Sequence, residues 1–260
     1  MSSVSIRRRV LGTVGVLVLA VAAPVAGSGS ASATATSNVC TGGEIASGSY
    51  AWLSIKGDCT ISDDATVNVK KILYLAPGAV LNAVSLATVR VGGNVYVSPG
   101  AILGLGCTII GVGCSANSDV AIGGNIVLHS PLTMFLDGIK VGGNVISTGG
   151  GPGSGVTADN IAYNFVFKDN VVGGAVRLTG WHGGWAGAIR NTVGHNLVFS
   201  SIKGNDPDSS EIVHNTVGGN LVCWGNSPKA QFGDAVTGSP PGYAQNVVGG
   251  HTRGQCKALV

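Results

Sequence analysis

Charge is scarce in this chain: Asp, Glu, Lys and Arg together make up 10% of 260 residues, aromatic residues 5%, and proline fills nine positions. Hydrophobic residues still reach 45%, so the low charge goes with burial, which excludes the disordered class. The 43 glycines follow no three-residue period, which excludes collagen. Beyond residue 33 no segment keeps a helical apolar period for three turns, and Cys-x-x-Cys is missing. One apolar run alone, Val10 to Ala26, approaches membrane-spanning length.

That run sits in an export-like order. Arg7, Arg8 and Arg9 form a basic head, Val10 to Ala26 the apolar stretch, and Ala31-Ser32-Ala33 a small-residue cleavage site, so residues 1–33 read as a signal peptide cut after Ala33. A twin-arginine signal and an uncleaved anchor are the alternatives. Cleavage takes three arginines from the 15 basic residues and none of the 12 acids, leaving the two signs equal in number. A neutral chain without a basic tract is poorly suited to releasing counterions from phosphates, so nucleic acid is not an expected partner, nor is a membrane after cleavage.

All six cysteines follow the signal, an even number that favours disulfides in an oxidising compartment. Fifteen pairings exist. The sequential one closes the shortest loops: Cys40 with Cys59, Cys107 with Cys114 and Cys223 with Cys256.

The rest of the chain is repetitive. An apolar residue, two glycines, asparagine and another apolar residue recur around Asn94, Asn125, Asn144 and Asn220, with weaker copies at Ala175, Asn196 and His251. The intervals are 31, 19, 31, 21, 24 and 31 residues. Pro77-Gly78-Ala79 returns as Pro99-Gly100-Ala101. Between these marks lie short Val-, Ile- and Leu-rich pieces such as Val95-Tyr96-Val97, so the pattern predicts an all-β solenoid. Parallel crossovers are right-handed and no six-residue period is visible, so the expected fold is a right-handed parallel β-helix with disulfide-closed ends. The glycine pairs are expected to supply corners of positive φ, and Asn94, Asn125, Asn144, Asn196 and Asn220 a buried amide ladder.

The stretch Asn215-Thr216-Val217-Gly218-Gly219-Asn220-Leu221-Val222-Cys223-Trp224-Gly225-Asn226-Ser227-Pro228, with Asn246-Val247-Val248-Gly249-Gly250 and Gly254-Gln255-Cys256, resembles the ending of secreted, uncharacterised β-helix proteins of high-GC Gram-positive bacteria. More loosely, the coils are similar to those of the pectate-lyase-like superfamily. The resemblance implies the fold and export; it implies no catalytic residues, since that group has none established.

Carbohydrate enzymes on such a fold need clustered carboxylates. Asp63-Asp64 and His195 lie 131 residues apart counted from Asp64, roughly 25 Å along a solenoid rising ~4.8 Å per coil, too far to act together. The loop Gly204–Glu211 holds Asp206, Asp208 and Glu211, a spacing open to calcium but without an EF-hand order, so it reads as a polar loop. The five histidines show no metal spacing, and neither metal nor cofactor is expected. Trp181-His182-Gly183-Gly184-Trp185 offers two indoles outside the narrow core, with Trp181, His182 and Trp185 as candidate glycan contacts and packing as the alternative.

The sequence therefore predicts residues 1–33 as signal, 34–59 as N-terminal cap, 60–222 as seven or so coils, and 223–260 as C-terminal disulfide cap. Two closed ends point to a monomer. The expected role is a secreted, non-enzymatic surface or matrix protein, extracellular or attached to the cell wall, that binds glycan or adheres, with polysaccharide or cell wall as its partner; the alternative is a carbohydrate-active enzyme, either a polysaccharide lyase or a glycoside hydrolase.

Overall fold

The computed structural model describes residues 38–111, 113–154, 163–236 and 245–260. Residues 1–33, expected from the sequence to be a signal peptide, and the first residues of the expected N-terminal cap lie outside them. Short strands succeed one another in three directions and stack into parallel sheets of ten, eight and nine strands, with a separate two-stranded pair. The chain is a parallel β-helix.

Period-two alternation sets the core. In the ten-stranded sheet Leu73, Leu75, Val95, Val97, Ile126 and Leu128 point inward and are buried, while Tyr74, Tyr96 and Val127 between them point outward. Strand register carries like residues onto like, Val95 beside Leu73 and Ile126, so each coil extends one continuous apolar column.

Counted along the ten-stranded sheet, Leu73, Val95, Ile126, Val145, Val176, Leu197, Leu221 and Thr252 mark successive coils. Ten strands in one sheet exceed the seven or so coils expected, because the ends are coils as well. Val39–Cys40 already pairs with Leu53–Ile55 and Gly43–Glu44 with Asp58–Thr60, so the Cys40–Cys59 disulfide ties two successive coils together. At the other end Val247–Val248 and Thr252–Gly254 continue two sheets. All three disulfides follow the sequential pairing, with Cα separations of 6.4, 6.1 and 5.3 Å.

The glycine pairs do something other than expected. Among the described residues, Gly92, Gly93, Gly123, Gly124, Gly142 and Gly143 do not have positive φ. They are small because the corners stack: a Cβ on Gly123 would stand 2.5 Å from the carbonyl oxygen of Gly92, and one on Gly142 2.7 Å from that of Gly123. The positive φ falls at other corners, at Gly100, Ser130, Gly149, Gly180 and Ser201 and at Asp169, Arg190 and His214.

The predicted asparagine ladder forms but lies near the surface. Asn94 Oδ1 accepts the backbone N–H of Asn125 at 2.8 Å, Asn125 Oδ1 that of Asn144 at 2.8 Å, and Asn196 Oδ1 that of Asn220 at 2.8 Å. Ala175 interrupts it. The buried ladder is a second one: Asn170, Asn191, Asn215 and Asn246 are 0–3% exposed, and each of the first three donates backbone and side-chain N–H to Oδ1 of the next.

Candidate functional site

The three 31-residue coils carry inserts, and these gather around one sheet. Of the described residues, 106–111 and 113–118 follow the eight-stranded-sheet strand Ile102–Leu105, 149–154 and 163–164 precede the strand Phe165–Lys168, and 224–236 contribute a single bridge from Glu211 to Gln231 where that sheet has no further strand. The 24-residue coil adds the shorter loop 204–210 before Glu211–Val213. Inserts therefore stand at both edges of the outer face of the eight-stranded sheet and make it a groove.

The groove floor is readable from register. Gly104, Phe135, Val166, Gly187 and Glu211 form one outward row, and Asp137, Lys168, Ile189 and Val213 the row two residues on. Three adjoining hollows of about 370, 340 and 310 Å³ follow the rows. The first is apolar, lined by Val80, Ile102 and Phe135; the second and third share Lys168, Glu211 and Asp234.

The five-residue patch around the two tryptophans is split by the strand alternation. Trp181 is fully buried, its ring 5.3 Å from that of Phe165 and its Nε1 donating to the Leu132 carbonyl at 3.1 Å. That corrects the expectation of a glycan contact at Trp181. The next strand turns only Ala186 and Ala188 inward, which leaves the core room for an indole. His182 lies in the two-stranded pair beside Lys203, its Nε2 3.3 Å from Asn205 Oδ1. Only Trp185 reaches the groove. Its indole lies over Gly187, where a Cβ would meet the ring, and the Lys168 ammonium sits 4.8 Å from the ring centre.

Carboxylates do converge here, which sequence spacing did not reveal. Glu211 is 5% exposed, lies beside Asp234 in the same hollows, and its Oε1 has no hydrogen-bond partner among the described residues. Burial pushes its carboxyl up to about 8; the negative charge of Asp234 adds to this, and Lys168 opposes it. Glu211 thus keeps its proton at neutral pH. Burial in turn holds the Lys168 ammonium below its usual range, against the pull of Glu211.

A second acid pair, Asp137 and Asp169, is already committed. The fully buried Asp137 accepts from Thr108 N at 2.9 Å and from its hydroxyl at 3.0 Å, which anchors the Cys107–Cys114 loop across the groove edge. Burial raises this carboxyl to about 6, the Thr108 bonds pulling the other way. Asp169 receives Arg190 Nε and Nη2, both at 2.7 Å. Asp63 is equally occupied, accepting Leu86 N–H at 2.8 Å in an exposed turn.

Among the described residues no three His, Cys, Asp or Glu side chains stand close enough to hold a metal ion, and no helix is long and apolar enough to cross a membrane. The disulfides fit an oxidising environment. The chain matches no known protein family, no curated protein and no solved structure.

Proposed function

We propose that this is a secreted, non-enzymatic β-helix protein that holds a polysaccharide along the groove of its eight-stranded sheet. The observation that carries the reading is the groove itself, in which Phe135, Trp185 and Lys168 share one floor with Asn164, Glu211 and Asp234. An extended chain of sugars suits a row of sites repeating every ~4.8 Å, and aromatic surface beside hydrogen-bonding groups suits pyranose rings with one apolar and one hydroxylated side. The disulfides and the export-like first segment support secretion.

An enzymatic alternative, a polysaccharide lyase, rests on Lys168: it stands on the groove floor beside Glu211 and Asp234, burial loosens its proton, and its neutral amine would be the base that removes a proton from a bound sugar.

The test is glycan-array and titration binding of the secreted protein and of Trp185→Ala, with product assays in parallel. Saccharide binding that weakens about tenfold or more in the variant, without product, upholds the proposal. No saccharide binding overturns it. Unsaturated sugar ends that disappear in Lys168→Gln would establish the lyase instead.

A further inference from the structure

The aromatic residues this chain can spare are not spread evenly. Trp52, Tyr74 and Tyr96 are 45, 39 and 37% exposed, and Ile72 beside them 42%. Register brings all four together on the outer face of the ten-stranded sheet in its early coils: Tyr74 pairs directly with Tyr96, and Trp52 with Ile72 lies one row to the side. This face is separate from the groove, which belongs to another sheet.

The two phenols are held in place. Asn94 Nδ2 donates to the Tyr96 hydroxyl at 2.8 Å, and Ser98 Oγ to the Tyr74 hydroxyl at 3.0 Å. Asn94 and Ser98 lie on opposite sides of Tyr96 along its strand, so the rings lean apart and widen the aromatic area. Further along the same row stand Val127, Ile146 and Arg177, so the aromatic cover of this row is confined to the early coils; the exposed Trp224 follows the late strand Leu221–Cys223 and stands apart from it.

Exposed lysines border it. Lys70 and Lys71 occupy the corner leading into Ile72, and Lys56 the corner leaving Ile55. Neither ion pair among the described residues, Arg90 with Asp119 or Arg190 with Asp169, uses them. Asp58, the acid nearest Lys56 in sequence, lies on a strand of the eight-stranded sheet.

We propose that this lysine-bordered aromatic face is a second binding surface whose ligand is an acidic polysaccharide. The apolar faces of the sugar rings pack on Trp52, Tyr74 and Tyr96, and the acid groups along the polymer meet Lys56 on one border and Lys70 and Lys71 on the other. Charge complementarity selects an anionic polymer over a neutral one, since the lysines contribute long-range attraction and the aromatic face the contact area. The proposal stands independently of the groove.

The experiment measures binding of the intact disulfide-bonded protein to alginate, a polyuronate, and to a neutral glucan of matched length. Alginate is expected to bind about tenfold or more tightly than the glucan, and to weaken as salt rises from about 0.05 to 0.5 M. Tyr74→Ala with Tyr96→Ala, and separately Lys70→Gln with Lys71→Gln, should each weaken alginate binding about tenfold. The lysine pair is exposed, so its variant keeps the fold and the test survives if the tyrosine variant unfolds. Equal binding of both polymers, no alginate binding, or binding lost only in Trp185→Ala would overturn the proposal. Retention on anionic phospholipid vesicles without alginate binding would overturn it in favour of a lipid surface.

Discussion

Asn191 donates two hydrogen bonds, one from its backbone and one from its side chain, to a single oxygen, Oδ1 of Asn215, at 3.1 and 2.9 Å. Its own Oδ1 receives the same pair from Asn170, and its Nδ2 also reaches the Phe167 carbonyl at 2.9 Å. The corner beneath the groove edge is thereby fixed from coil to coil.

Asn191→Ala removes the acceptor for two buried donors, each of which loses its partner at about 1–3 kcal/mol, so a loss of about 3 kcal/mol is expected. Asn94→Ala or Asn220→Ala, where water replaces the lost bonds, should cost about 1 kcal/mol or less. Urea melts of the three variants check the order, and equal losses would contradict the division into a buried and a surface ladder.

The surface ladder was legible in the sequence because Gly-Gly-Asn is a conspicuous phrase. The buried one left a fainter trace. Asn170, Asn191, Asn215 and Asn246 each stand three residues ahead of the glycine, at the intervals of the last coils, while earlier coils have Val89, Val120 and Ile139 there. The 31-residue intervals likewise showed which coils carry extra chain but not where it goes. Placement of Glu211 beside Asp234 depends on two inserts folding over one sheet, a long-range outcome that no local pattern encodes. Trp181 was misplaced because a glycine-flanked aromatic looks exposed until the small inward residues of the next strand are known.

Stability should fall as pH rises toward 8. Glu211 keeps its proton in the folded chain up to about 8, whereas an ordinary glutamic acid releases it near 4.5, so the folded state binds the extra proton between those values. The fold is therefore progressively disfavoured as pH climbs through that window, and the loss levels off above it. Asp137 acts the same way between 3.8 and about 6. Melting temperatures should decline from about pH 5 to pH 8, and Glu211→Gln should flatten the upper part of the decline. An unchanged slope in that variant would remove Glu211 from the account.

The two tryptophans should separate cleanly. Trp181→Ala opens a core cavity and should cost about 3–5 kcal/mol. Trp185→Ala takes a half-buried ring from the groove and should cost roughly 1–2 kcal/mol, while losing saccharide contact. Thermal melts alongside binding titrations distinguish the roles; similar destabilisation by both would contradict the burial difference.

Oxidised protein should contain no free thiol, and digestion should release the pairs Cys40–Cys59, Cys107–Cys114 and Cys223–Cys256. Replacing Cys40 and Cys59 together by Ala should cost about 2–4 kcal/mol. Replacing Cys107 and Cys114 should loosen the loop over Asp137 more than the coils, visible as faster amide exchange in residues 106–118 with strand protection retained. Uniform loss of protection would show that the loop and the coils open as one unit.

The inserts leave the registers of the ten- and nine-stranded sheets intact, so the depth of the groove walls is uncoupled from the pitch of the coils. Adding or deleting a coil would lengthen or shorten the trough by one strand spacing, whereas recutting the loops that carry Thr108, Asn164 or Asp234 would alter its width and lining with the stacked glycine corners unmoved. Such a scaffold can change what it grips through two independent adjustments, one counted in whole coils and the other in single loop residues.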